Sequence, residues 1–162
     1  MEKKSKWSIV SNLAVIASLL LVFYELSLNR AAILESNKIA RMESSNFAYT
    51  GSTIMRQMII DNKEIWNKAC KGLELTEEEE IVRKMISSTW YFNHGQMYEQ
   101  AVHLSDDRLI KSRISLPERF VKRFPAIKYD WDDVKAEYKS KGYEALIQPY
   151  EKAFAALEAQ PK

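Results

Sequence analysis

Two histidines, one cysteine and a run of four glutamates are the side chains whose chemistry would matter most in this chain. His94 and His103 lie nine positions apart on one apolar-periodic stretch. On a helix that puts them half a turn out of phase, so one metal ion cannot take both. Glu99 and His103 share a face, but a di-iron bundle needs Glu-x-x-His pairs with further inward carboxylates from other helices, and the spacing here is wrong. Glu77, Glu78, Glu79 and Glu80 are consecutive, and consecutive helical residues point around the cylinder instead of converging on an ion. Cys70 is the only cysteine, so it can form neither an intramolecular disulfide nor a Cys-x-x-Cys pair. It reads as a small, semi-buried hydrophobe, with an intermolecular disulfide or a reactive thiol as its other use.

Neither histidine has a serine nucleophile in a strained turn nearby. The 4 scattered glycines cannot build a phosphate-binding loop. The apolar segment near the N-terminus holds no histidine for haem. No catalytic residue, metal or cofactor is therefore assigned, and the chain reads as non-enzymatic. The aromatic group Trp90, Tyr91, His94 and Tyr98, with Phe92, has two uses: lining a pocket or partner surface, or filling the core of a small bundle. Core packing is the expected one, because a small bundle needs large side chains to bury enough area.

The elements that would position these residues begin with residues 7–24, eighteen residues without a charge. At about 1.5 Å per residue they cover about 27 Å, close to the roughly 30 Å of a bilayer's hydrocarbon core. The chain is thus expected to hold a basic flank (1–6), a transmembrane anchor (7–28) and a helical extramembrane domain (29–162). The bulky and charged residues after Tyr24 do not suit a signal-peptide cleavage site. Trp7 and Tyr24 suit the two interfacial belts. Asn12 is either solvated at the lysine-rich end or, with the small pair Ala14 and Ser18, turned toward another transmembrane helix. Lys3, Lys4 and Lys6 crowd the N-terminal flank, while Arg30, Lys38 and Arg41 lie further from the other end. That balance places the N-terminus inside and the domain outside.

The scarcity of glycine and proline predicts long helices and an all-α fold. A net charge of +2 argues against nucleic acid as a partner. Leu26, Ile33, Ala40, Phe47 and Ile54 recur every seventh position, with Met58 after them. They predict that the anchor helix continues as an amphipathic helix to about residue 60, with a break near Gly51 as the alternative. A short helix should end at Gly72, and Thr76 with Glu79 should form a capping box. The next helix carries an apolar face of Ile81, Val82, Met85, Ile86, Thr89, Met97, Ala101 and Leu104. Ser105 to Asp107 should cap another short segment. Ser115 to Glu118 again has capping-box form, in a helix ending before Pro125. A helix starting at Asp130 to Asp133 should end near Gly142, and a last one should run over residues 150–159.

The segment Leu19 to Phe47, with Glu25, Asn29 and Arg30, resembles the start of a group of uncharacterised bacterial single-pass membrane proteins. Leu75 to Glu79 before an aromatic-rich helix is similar to their "LTPEE" helix start. Trp131, the Gly142 break and a final proline-containing helix are similar as well. The resemblance implies a membrane-anchored helical domain, in a bacterial inner membrane, with no assigned activity. The function expected from all of this is a non-catalytic accessory or assembly subunit. The bilayer and the subunits of a larger membrane complex would be its partners. The alternative is a ligand-sensing helical bundle that signals through a partner protein.

Overall fold

The computed structural model describes residues 2–159, with side chains described from Asn12 onward. The basic flank's side chains, that of Trp7 and the chain after Ala159 lie outside the described residues. Every regular element is helical: α1 (Glu2–Asp61), α2 (Lys63–Cys70), α3 (Glu77–His103), α4 (Asp107–Ile114), α5 (Leu116–Arg123), a 3₁₀ turn (Pro125–Asp130), α6 (Trp131–Ser140) and α7 (Glu144–Glu158). No strand occurs among the described residues. The chain divides into two compact units, Met1–Met42 and Glu43–Lys162.

The first unit consists of α1 alone. Its Asn12–Asp61 stretch contains a window of mean hydropathy 1.6, none of it buried, and is long and apolar enough to cross a membrane. No proline interrupts it. Ser18 donates its hydroxyl to the Ala14 carbonyl at 2.9 Å, so this polar side chain satisfies itself within the helix.

In the second unit the rest of α1 packs through a face only partly the expected one, on which Phe47 and Met58 are half-buried. Ser44, Gly51 and Met55 are buried, while Ile54 on the seven-residue repeat is 51% exposed. The packed stripe steps by four and three residues through Ser44, Ala48, Gly51, Met55 and Met58, and its small members let the backbones approach. A Cβ at Gly51 would come within 2.8 Å of the Asn93 side chain. Gly51 is therefore a seat for α3 and not a helix break.

The expected punctuation of α2 and α3 is present. Gly72 takes a left-handed φ of 68°. Leu73 N–H donates to the Lys68 carbonyl and Gly72 N–H to that of Ala69, both at 3.0 Å, closing a Schellman motif. Thr76 and Glu79 form the reciprocal capping box. Asp106 caps α4 by accepting from the N–H groups of Arg108 and Leu109.

Three expectations fail locally. Ser115 makes no cap bond, because its hydroxyl donates back to Ser112. Pro149 lies inside α7, which begins at Glu144. A proline there removes a backbone bond at a cost of about 3 kcal/mol. The helix persists because Leu146 and Ile147 before the proline and Tyr150, Ala153 and Phe154 after it are all buried. On α3, Ile81 and Met85 are more than half exposed, and Arg83, Ser87 and His94 are buried in their stead.

The core of the second unit is aromatic. Tyr91, Trp131, Tyr138, Tyr150 and Phe154 meet at centroid distances of 4.8–6.2 Å, mostly in tilted and edge-on arrangements favoured by the ring quadrupoles, with Tyr150 and Phe154 stacked. Ile86, Ile127 and Leu146 around them are fully buried.

Candidate functional site

The densest polar arrangement is a relay sealed in this core. Trp90 on α3 donates its indole N–H to the Tyr150 hydroxyl at 2.7 Å. That hydroxyl lies 2.8 Å from His94 Nδ1, and His94 Nε2 lies 2.9 Å from the Arg113 carbonyl. Its direction follows from the two ends. An indole N–H only donates and a carbonyl only accepts, so the imidazole proton sits on Nε2 and the Tyr150 O–H donates to Nδ1. The indole N–H, the Tyr150 hydroxyl and both imidazole nitrogens of the relay are thereby satisfied. Trp90 further stacks on Phe120 and on the His94 ring.

Burial drives the His94 pKa down from the ordinary 6.5 to about 4, only partly opposed by the bond to the Arg113 carbonyl. A neutral imidazole is what the relay requires. The unfolded chain takes up its proton near pH 6.5 and the folded chain only near 4. His94's contribution is therefore intact above pH 6.5 and is lost as the pH falls toward 4, by on the order of 3 kcal/mol in all. Urea unfolding of the full chain in mild detergent should show this slope, and His94→Gln should flatten it. Equal slopes in the two proteins would refute the assignment.

A second polar line runs through tyrosine hydroxyls. Tyr91 donates to the Ile127 carbonyl at 2.9 Å and Tyr138 to the Tyr91 carbonyl at 2.8 Å. Burial raises the pKa of both phenols, which stay protonated as donors. Tyr143 donates to Glu99 at 2.6 Å. Burial first, and this bond second, push the Tyr143 phenol up to about 12, while the Tyr143 hydroxyl holds the Glu99 carboxyl below its usual range. Gly95 allows this closure, since a Cβ there would come within 2.8 Å of the Tyr143 ring. The recess beside it, about 230 Å³ and lined by Tyr91, Phe92, Gly95, Tyr138 and Tyr143 among others, falls short of the roughly 300–1,000 Å³ of small-molecule sites.

The third arrangement is ionic. Arg83 reaches Asp130 through two bonds of 2.6 and 3.0 Å and Glu80 through a third of 2.8 Å. The Arg83 side chain is 4% exposed and that of Asp130 9%. A recess of about 370 Å³ opens beside Arg83, between Gly72, Leu75 and Tyr129.

The expected site residues divide between these surroundings. Trp90, Tyr91 and His94 belong to the core, and none of the three presents its ring to a partner. Tyr98 is half-buried, edge-on to Tyr143. Asn12, Ala14, Ser18 and Tyr24 lie exposed on α1. Cys70 is half-buried, and burial raises its thiol pKa. Among the described residues no three His, Cys, Asp or Glu side chains group to hold a metal ion.

Sequence reasoning missed Tyr150, Arg83 and Asp130. A signal for the α3 stripe that carries Arg83 and bonds the other two was present: positions 83, 87, 90, 94, 97 and 101 step by four and three, and all six are buried. An apolar reading finds Trp90, Met97 and Ala101, but Arg83, Ser87 and His94 between them are polar or charged, so it does not connect the stripe. No protein-family model, curated protein or solved structure matches this chain.

Proposed function

We propose that this protein is a non-catalytic, single-pass membrane accessory subunit. Its transmembrane helix and helical domain dock on a larger membrane complex. The observation that carries this reading is the surface of α1. From Leu13 to Leu28 every Leu, Val, Ile, Phe and Tyr side chain is more than half exposed. Monomeric soluble proteins rarely expose contiguous apolar patches beyond a few hundred Å², so such a surface calls for lipid and neighbouring helices. Exposed Ile33, Leu34, Ile39 and Met42 extend the apolar character beyond the anchor.

A second support is that the side chains with the most chemical potential, His94 and the buried tyrosines, are spent on internal bonds. The balance of Lys3, Lys4 and Lys6 against Arg30, Lys38 and Arg41 favours a cytoplasmic N-terminus with the domain on the periplasmic side of a bacterial inner membrane. Extraction in a gentle detergent followed by size fractionation should find the protein in a particle much larger than its own mass of 18.9 kDa plus a micelle. Migration only as a free monomer would overturn the proposal.

A further inference from the structure

The second unit is close to neutral in sum, yet its charge is strongly sorted. Residues 43–162 hold 18 basic and 19 acidic side chains, whereas residues 107–123, the span of α4 and α5, hold six basic and two acidic ones. Arg108, Lys111, Arg119, Lys122 and Arg123 are exposed, and Arg113 is half-buried. Among the described residues none of the six forms an ion pair, whereas five of the eleven other described basic residues of the unit, Lys68, Arg83, Lys128, Lys135 and Lys141, have a carboxylate partner. The Arg113 Nε is buried without a hydrogen-bond partner.

No large apolar side chain of residues 107–123 is exposed. The face therefore lacks the aromatic or aliphatic anchors on which protein–protein hot spots are built. Dispersed cations without an anchor match a surface of dispersed anions, and each gains when held near anionic headgroups. We propose that the α4–α5 face adsorbs to anionic phospholipid headgroups of the membrane that α1 crosses. This inference rests on the spanning reading of α1 given above. Such contact would hold the helical domain against the bilayer by charge alone, and salt would release it over the distance at which charges are screened.

The test uses the full chain in lipid nanodiscs, with a donor dye on the thiol of Ser115→Cys in a Cys70→Ser background and an acceptor dye on the headgroups. Energy transfer should be severalfold greater in discs containing phosphatidylglycerol than in phosphatidylcholine alone, and should fall to the phosphatidylcholine value at high salt. Reversing three charges of the face (Arg119→Glu, Lys122→Glu, Arg123→Glu) should abolish the difference. Reversing three elsewhere (Lys63→Glu, Lys71→Glu, Lys84→Glu) should leave it. Incorporated protein with equal transfer in both lipids would overturn this inference alone. Equal loss with both triple variants would also overturn it, by showing that overall charge and not this face is responsible. Protein that stays outside the discs would overturn the spanning reading and this inference with it.

Discussion

Tyr150→Phe is expected to lower the unfolding free energy by about 2–6 kcal/mol, although it deletes one oxygen and keeps the ring. Tyr150 is fully buried, and its hydroxyl is the partner of both Trp90 Nε1 and His94 Nδ1. Removing it orphans a buried donor and a buried acceptor together. Each unsatisfied group costs about 1–3 kcal/mol, whereas a hydrogen bond exchanged cleanly for water is worth about 1. No cavity beyond the hydroxyl opens, so packing adds little. The loss is a large share of the 5–15 kcal/mol that holds an ordinary domain together.

The coupling is as informative as the loss. Combining Tyr150→Phe with His94→Leu should cost less than the sum of the two changes, because the second removes an acceptor that the first has orphaned. Urea unfolding of the full chain in mild detergent, followed by tryptophan fluorescence, measures both. A cost for Tyr150→Phe below about 1 kcal/mol, or strict additivity, would show that the hydroxyl does not bridge the two rings.

Local chemistry made part of this fold legible in the sequence. The Thr76–Glu79 box, the Gly72 terminus, the helix end before Pro125 and the absence of strands all depend on residues within a few positions of one another. The longest-range contacts were opaque for the converse reason. His94 meets Tyr150 across 56 positions and Arg83 meets Asp130 across 47, and no periodicity says which of the 8 tyrosines closes a relay. The misread faces have the same origin. An apolar filter selects Ile86, Met97 and Ala101, which are buried, together with Ile54, Ile81 and Met85, which are exposed, and it leaves out Ser44 and Gly51 on α1 and Arg83, Ser87 and His94 on α3. A small residue is buried because a neighbour approaches closely, and a polar one because a distant partner satisfies it. Neither cause is written beside the residue itself.

Asp130 shows how one distant partner redirects local structure. In sequence it stands at the head of Asp130-Trp131-Asp132-Asp133 and reads as part of a helix start. In the fold it holds the N-cap position of α6 without making a side-chain cap bond, because both its oxygens face the Arg83 guanidinium. Two charge-assisted bonds to a planar fork outweigh one bond to a backbone N–H. The pair ties the end of the 3₁₀ turn to α3, with the Tyr129 ring 5.4 Å from the guanidinium carbon. Asp130→Ala should therefore destabilise by about 3–5 kcal/mol, the usual consequence of leaving a buried charge without its partner. Glu80 still reaches the Arg83 Nε, and its side chain is 44% exposed, so the loss should fall at the lower end. Replacing both members, Arg83→Met with Asp130→Leu, removes the desolvated charges together and should recover most of the stability. The same unfolding measurement decides it. If the double variant is as unstable as Asp130→Ala, the pair contributes through shape that an apolar substitute cannot reproduce, and the electrostatic account fails. Recovery would show that the pair adds little net stability over an apolar substitute, because its attraction roughly offsets the cost of desolvating two charges.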